Sequence, residues 1–167
     1  MFKTKDLVVI ALISAISYLL SMLVVFRMPQ GGSITLYLVP LLLAAFNDKF
    51  RNCLLIGLIT SLLQIVLGGY FLNPVQVCFD YVIPVTLICI SGYIITRNNN
   101  NILTNILGFI IACVLALLSY VCSGMLFYET PFVPSIIYNA TFFVPTIIIN
   151  LIIILIINKP LSKVYPK

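Results

Sequence analysis

Long apolar stretches separated by short polar breaks run the length of the chain. Taking Pro, Gly, Asn and charged residues as punctuation divides it into six segments, at roughly residues 6–26, 33–47, 52–69, 75–96, 102–127 and 135–158. A helix needs about 20 apolar residues to cross a bilayer, so the pattern predicts an all-α integral membrane protein. It would have one domain over residues 1–167 and six transmembrane helices. The second segment is short and follows Met28-Pro29-Gln30-Gly31-Gly32-Ser33, where paired glycines permit positive φ angles. That stretch is predicted to be an external, mobile loop, and the polar run Asn98–Asn101 an internal connector.

Composition strengthens this reading. Of 167 residues, 62% are hydrophobic and 8% charged, with a mean hydropathy of +1.21, which excludes a water-soluble globule. Six spans leave about 47 residues for connections, too few for a soluble catalytic or nucleotide-binding domain. Lys3 and Lys5 precede an apolar run in the manner of a signal peptide, but the run continues to Phe26, so it reads as a retained first helix. An even number of spans places both termini on one side. With that side cytoplasmic, Lys3, Lys5, Lys49, Arg51, Arg97, Lys159, Lys163 and Lys167 lie inside and only Arg27 outside, as the positive-inside rule requires. Basic residues beside helix ends report topology and do not form the stripe that binds nucleic acid. The five cysteines (Cys53, Cys78, Cys89, Cys113, Cys122) have no CxxC spacing and read as small core residues, with no metal site.

Deep in the apolar segments there is one ionisable residue, Asp80. A charge there costs at least about 2.5 kcal/mol by insertion scales and asks for a function. It falls about five residues into the fourth segment, roughly 7–8 Å below its external end. Gln64, Asn139 and Tyr120 reach a similar level, whereas the inner halves offer little beyond Thr86, Ser91 and Asn150. Polarity confined to the outer half describes a pocket and disfavours a pore. Tyr70, Tyr81, Tyr120, Tyr128 and Tyr138 crowd the same level. An interfacial aromatic belt explains Tyr128 better than Tyr81. A carboxylate among ring faces suits a flat, cationic or hydrogen-bond-donating ligand. No Lys, Arg or His shares its depth, so only an amide or hydroxyl could pair with it inside the bundle. Catalysis finds no support, with no histidine, no serine beside a recognisable base and no GxxxxGK[ST] loop. Ala11 and Ala15, four residues apart on the first helix, form a small-residue face on which another helix can dock; Ala112 and Ala116 repeat the spacing.

The set Pro29-Gln30-Gly31-Gly32-Ser33, Leu67-Gly68-Gly69-Tyr70, Asn73-Pro74-Val75-Gln76, Asp80-Tyr81 and Tyr138-Asn139-Ala140-Thr141, with Val39-Pro40 and Val144-Pro145, resembles the substrate-binding (S) components of energy-coupling factor (ECF) vitamin transporters. Within them it is most similar to the thiamine-specific, ThiT-type family. The resemblance covers nearly the whole chain. It implies an S-component bundle in a prokaryotic plasma membrane that captures thiamine from outside. It also implies docking through Ala11 and Ala15 on a membrane coupling subunit driven by two cytoplasmic ATPases. Thiamine is then cargo, with no cofactor. By position it implies that Asp80 and Asn139 hold the polar groups of the ligand, with Tyr81, Tyr70, Tyr120, Gly124, Tyr128 and Ser135 around it. Two departures stand out: Tyr120 occupies the place of a His in many members, and Pro134 that of a Tyr. They leave open a preference for a relative such as the hydroxymethylpyrimidine precursor or another small vitamin. A proton-coupled carrier using Asp80 is the reading from a different class, and it lacks an inner polar path.

Overall fold

The computed structural model describes residues 3–28, 32–95 and 102–161. Its order is α1 (Thr4–Met22), β1 (Val24–Arg27), β2 (Ser33–Thr35), α2 (Leu38–Asn47), α3 (Phe50–Gly68), α4 (Pro74–Val77), a π turn (Cys78–Val82), α5 (Ile83–Cys89), a 3-10 turn (Ser91–Tyr93), α6 (Ile102–Phe127) and α7 (Phe132–Leu161). Among the described residues four helices, α1, α3, α6 and the Phe132–Ile157 part of α7, are long and apolar enough to cross a membrane. Two shorter apolar stretches accompany them, Leu38–Asn47 and Pro74–Cys89. Residues 29–31 of the predicted mobile loop and the Asn98–Asn101 connector lie outside the described residues.

The first predicted helix ends early. Val24, Val25 and Phe26 favour extended backbone, and the chain leaves the helix after Met22 to form an antiparallel hairpin. Val24 pairs with Thr35, Phe26 with Ile34 and Arg27 with Ser33, with a bulge between Val24 and Phe26. The second predicted segment therefore starts as a strand, and its helix begins only at Leu38. Asn150 of α7 holds this junction. Its Nδ2 donates to the Thr35 carbonyl at 2.8 Å and to the Thr146 carbonyl at 2.7 Å, and its Oδ1 accepts from the Val39 N–H at 3.0 Å. A buried amide with its bonds met is a strong tie where no water competes.

The fourth predicted helix is broken by its own proline. Pro84 has no N–H, and its ring crowds the carbonyl four residues back. The chain widens into a π turn in which the Ile83 N–H bonds to the Cys78 carbonyl. The Phe79 carbonyl, which an α-helix would have paired with that N–H, accepts from Ser119 Oγ of α6 at 2.7 Å. The Tyr81 carbonyl accepts from Ser61 Oγ of α3 at 3.2 Å. Two neighbouring helices thus stabilise the turn that carries Asp80.

The core gathers around α2, with Leu38, Leu41, Leu42, Ile56, Ile88, Phe109 and Ile154 fully buried. Gly57 brings α3 against α5 so closely that a Cβ there would sit 2.8 Å from the Thr86 Cα. Ala112 and Ala116 face this core, whereas Ala11 and Ala15 are exposed on α1, opposite its buried Ile10, Ile13, Ser14 and Ser17. Identical spacing therefore serves internal packing in one helix and leaves an outward face on the other. The expectation of five core cysteines is corrected: Cys53, Cys89 and Cys113 are buried, but Cys78 and Cys122 are exposed, because the π turn and the rim of α6 turn them outward.

Candidate ligand-binding site

One cavity of about 1230 Å³ opens between the hairpin, the end of α3, the π turn and the facing ends of α6 and α7. All eight residues expected at the site, Asp80, Tyr81, Asn139, Tyr70, Tyr120, Gly124, Tyr128 and Ser135, line it, together with Gln64 and Pro134. Five segments of the chain converge there.

Asp80 has partners in the bundle. Gln76 Nε2 donates to its Oδ2, and the Tyr128 hydroxyl donates to the same oxygen at 3.4 Å. An amide and a hydroxyl thus fill the role that no cation fills. Burial, then the adjacent Asp80 carboxylate, raises the Tyr128 phenol above its ordinary range, so it remains a donor at neutral pH. The Tyr128 ring is 44% exposed, and its hydroxyl is engaged in the site. Tyr81 is tied from the other side, its hydroxyl accepting the Tyr70 N–H at 2.8 Å. The Tyr70 and Tyr128 rings lie 6.4 Å apart at 31°, two mutually tilted faces at the rim.

Across the cavity, Asn139 Nδ2 donates to the Ser135 carbonyl at 2.9 Å and more weakly to Ser135 Oγ at 3.4 Å, while Ser135 Oγ donates to the Val121 carbonyl at 3.3 Å. A Cβ on Gly124 would overlap Ser135 Oγ, so glycine is what lets α6 and α7 meet here. Tyr120 lies on the floor, edge-on to Phe143 (5.3 Å, 79°) and to Phe142 (6.3 Å, 62°), and Tyr37 shares the same lining. The arrangement offers acceptors (Asp80, Asn139) and ring faces (Tyr70, Tyr120, Tyr128), chemistry suited to a flat ligand carrying N–H or O–H donors.

The family model described as thiamine transporter protein (Thia_YuaJ) matches residues 7–166, nearly the entire chain. The chain belongs to this thiamine transporter family. A curated relative, thiamine transporter ThiT of Bacillus subtilis, is 29% identical, the match covering 81% of each protein. The solved structure of ThiT from Listeria monocytogenes superposes with a TM-score of 0.77 at 24% identity over 96% of both chains, and so shares the fold.

Within this family member the cavity has further lining, of which the sequence did not single out Tyr18 and Tyr37. Tyr37 and Tyr18 belong to it, and Arg27 brings the hairpin's one cation to its wall. Tyr138 pins the hairpin to α7, its hydroxyl accepting the Gly32 N–H at 2.9 Å. Gln76, wholly buried, contacts Asp80 directly. The signal for Gln76 was present in its position four residues before Asp80, one helical turn away. Nothing local marks Tyr37, since its place depends on where α2 begins.

Proposed function

We propose that the protein is the high-affinity thiamine-binding subunit of an ECF-type importer: one six-helix membrane domain, with both termini cytoplasmic, that captures thiamine outside and delivers it inward with a coupling subunit and two ATPase subunits. The observation that carries the ligand assignment is the convergence of Asp80, Asn139 and three tyrosines on one cavity in a member of a thiamine transporter family. Asp80 would accept from the amino group of the aminopyrimidine, and the ring faces would flank the heterocycles and attract the thiazolium charge. The orientation is supported by Lys3, Lys5, Lys49 and Arg51 at the end remote from the cavity and Arg27 at the cavity end. Docking on the coupling subunit is assigned to the exposed Ala11 and Ala15 face. ATP hydrolysis belongs to the partners, and the chain itself is not an enzyme.

A second reading keeps the transporter class and changes the cargo to the hydroxymethylpyrimidine precursor. Tyr120 favours it: packed against Phe142 and Phe143, it leaves a floor without the imidazole expected of many relatives. Equilibrium binding of thiamine and of the precursor to the purified, ligand-stripped chain separates the two. Tight thiamine binding is the expected result. Binding of the precursor alone would transfer the assignment to it, and binding of neither would remove both.

A further inference from the structure

Gln76 is fully buried, polar and set one turn before Asp80. Its Oε1 accepts the Leu72 N–H at 3.1 Å. A backbone N–H can only donate, so this bond fixes which way the amide faces. Nε2 is thereby turned towards Asp80 Oδ2, with the Tyr70 carbonyl and the Tyr128 hydroxyl each at 3.4 Å. The backbone is fixed as well, since Asn73 Oδ1 accepts the N–H groups of Val75 and Gln76 at 2.9 Å. Asp80 Oδ1, by contrast, has no hydrogen-bond partner among the described residues.

Building on the reading that Asp80 receives the donor groups of the ligand, we propose that Gln76 is a positioning residue for binding: its amide holds Oδ2 of Asp80 so that Oδ1 is presented to the ligand, and it ties the Tyr70 loop to the same carboxylate. Orienting it in advance removes part of the ordering that binding would otherwise require.

The test exploits the near-identical shapes of Gln and protonated Glu. In Gln76→Glu the donor facing Oδ2 becomes a second carboxylate, and two such groups in contact retain a shared proton into a higher pH range than either alone. The other groups facing Asp80 are the phenols of Tyr81 on its own turn, Tyr120 and Tyr128 from α6 and its end, and Tyr70 from the α3–α4 loop, while Arg27 lines the cavity from β1. Phenols and guanidinium ordinarily titrate at about pH 10 and above, so a new response below neutrality belongs to the introduced pair.

Thiamine binding and thermal midpoint are measured at about pH 8 and about pH 5 for wild type, Gln76→Glu, Gln76→Leu and Asp80→Asn. Gln76→Glu should bind about tenfold or more weakly at the higher pH and recover most of that at the lower, while wild type gains nothing on acidification. Gln76→Leu should be weak at both. Wild-type affinity in Gln76→Leu, or a defect in Gln76→Glu that acid does not repair, overturns the proposal. Should wild type fail to bind thiamine, or Asp80→Asn bind as tightly as wild type, the assignment of the site itself falls, a result distinguishable from failure of Gln76 alone.

Discussion

The two ends of the bundle each contain carboxylates and amides, but they use them differently. At the end remote from the cavity, Asn52 Nδ2 bridges Asp48 at 2.8 Å and Asp6 at 3.4 Å. Asp6 also accepts the Lys3 N–H at 3.1 Å, capping α1, and Asp48 accepts the Lys49 N–H at 2.7 Å. The Tyr93 hydroxyl donates to the Asp48 carbonyl. Every carboxylate there is bonded to the protein's own backbone or amide. At the cavity end Asp80 gives one oxygen to Gln76 and Tyr128, and its other oxygen has no partner among the described residues. The carboxylates at the remote end are anchored by backbone N–H groups, whereas Asp80 is held by side chains alone and lines the cavity; the first arrangement stabilises the fold and the second can receive a ligand.

Substitutions should separate the ends. The largest effect is expected from Asp80→Asn, which should weaken thiamine binding by about 1.5–3 kcal/mol through loss of a charge-assisted bond, with little change in thermal midpoint; titration calorimetry on the purified variant reads it. Next, Gly124→Ala should force the Ser135 hydroxyl aside, lowering stability by on the order of 1–2 kcal/mol and affinity with it. A variant that keeps wild-type affinity would show that the α6–α7 contact does not shape the cavity. At the opposite end, Asn52→Ala should cost about 1.5 kcal/mol of stability by taking one hydrogen bond from each of two carboxylates yet leave affinity unchanged, and a loss of binding there would erase the contrast. Smallest is Glu129→Gly. Glu129 turns between α6 and α7 at φ 51°, a conformation costing a side chain about 1–2 kcal/mol, so glycine should raise stability by about 0.5 kcal/mol after its own greater chain entropy.

Apolar periodicity and length placed α1, α3, α6 and α7 to within a few residues in the sequence, because long helices in lipid leave an unbroken hydrophobic record. The hairpin and the π turn were not legible in the same way. Val24-Val25-Phe26 is as apolar as the helix before it, and only pairing with Ser33–Thr35 across the loop makes it a strand. The π turn depends on Ser119 and Ser61 reaching carbonyls from other helices, contacts between residues about 40 and 20 positions apart. Depth arithmetic nevertheless put Asp80, Gln64, Asn139 and Tyr120 at one level, and they share one cavity. Family resemblance supplied Gly124 and Ser135, which polarity alone would have passed over.

The shortness of α2 has a volumetric meaning. Its ten residues are about half of what a bilayer-crossing helix requires, and it starts just beyond Thr35 and Tyr37 in the cavity lining. The cavity thus opens where a full-length helix would have continued. Space made by leaving out a stretch of chain does not thin the packing around it, so the cavity opens directly above the fully buried Leu38, Leu41 and Leu42.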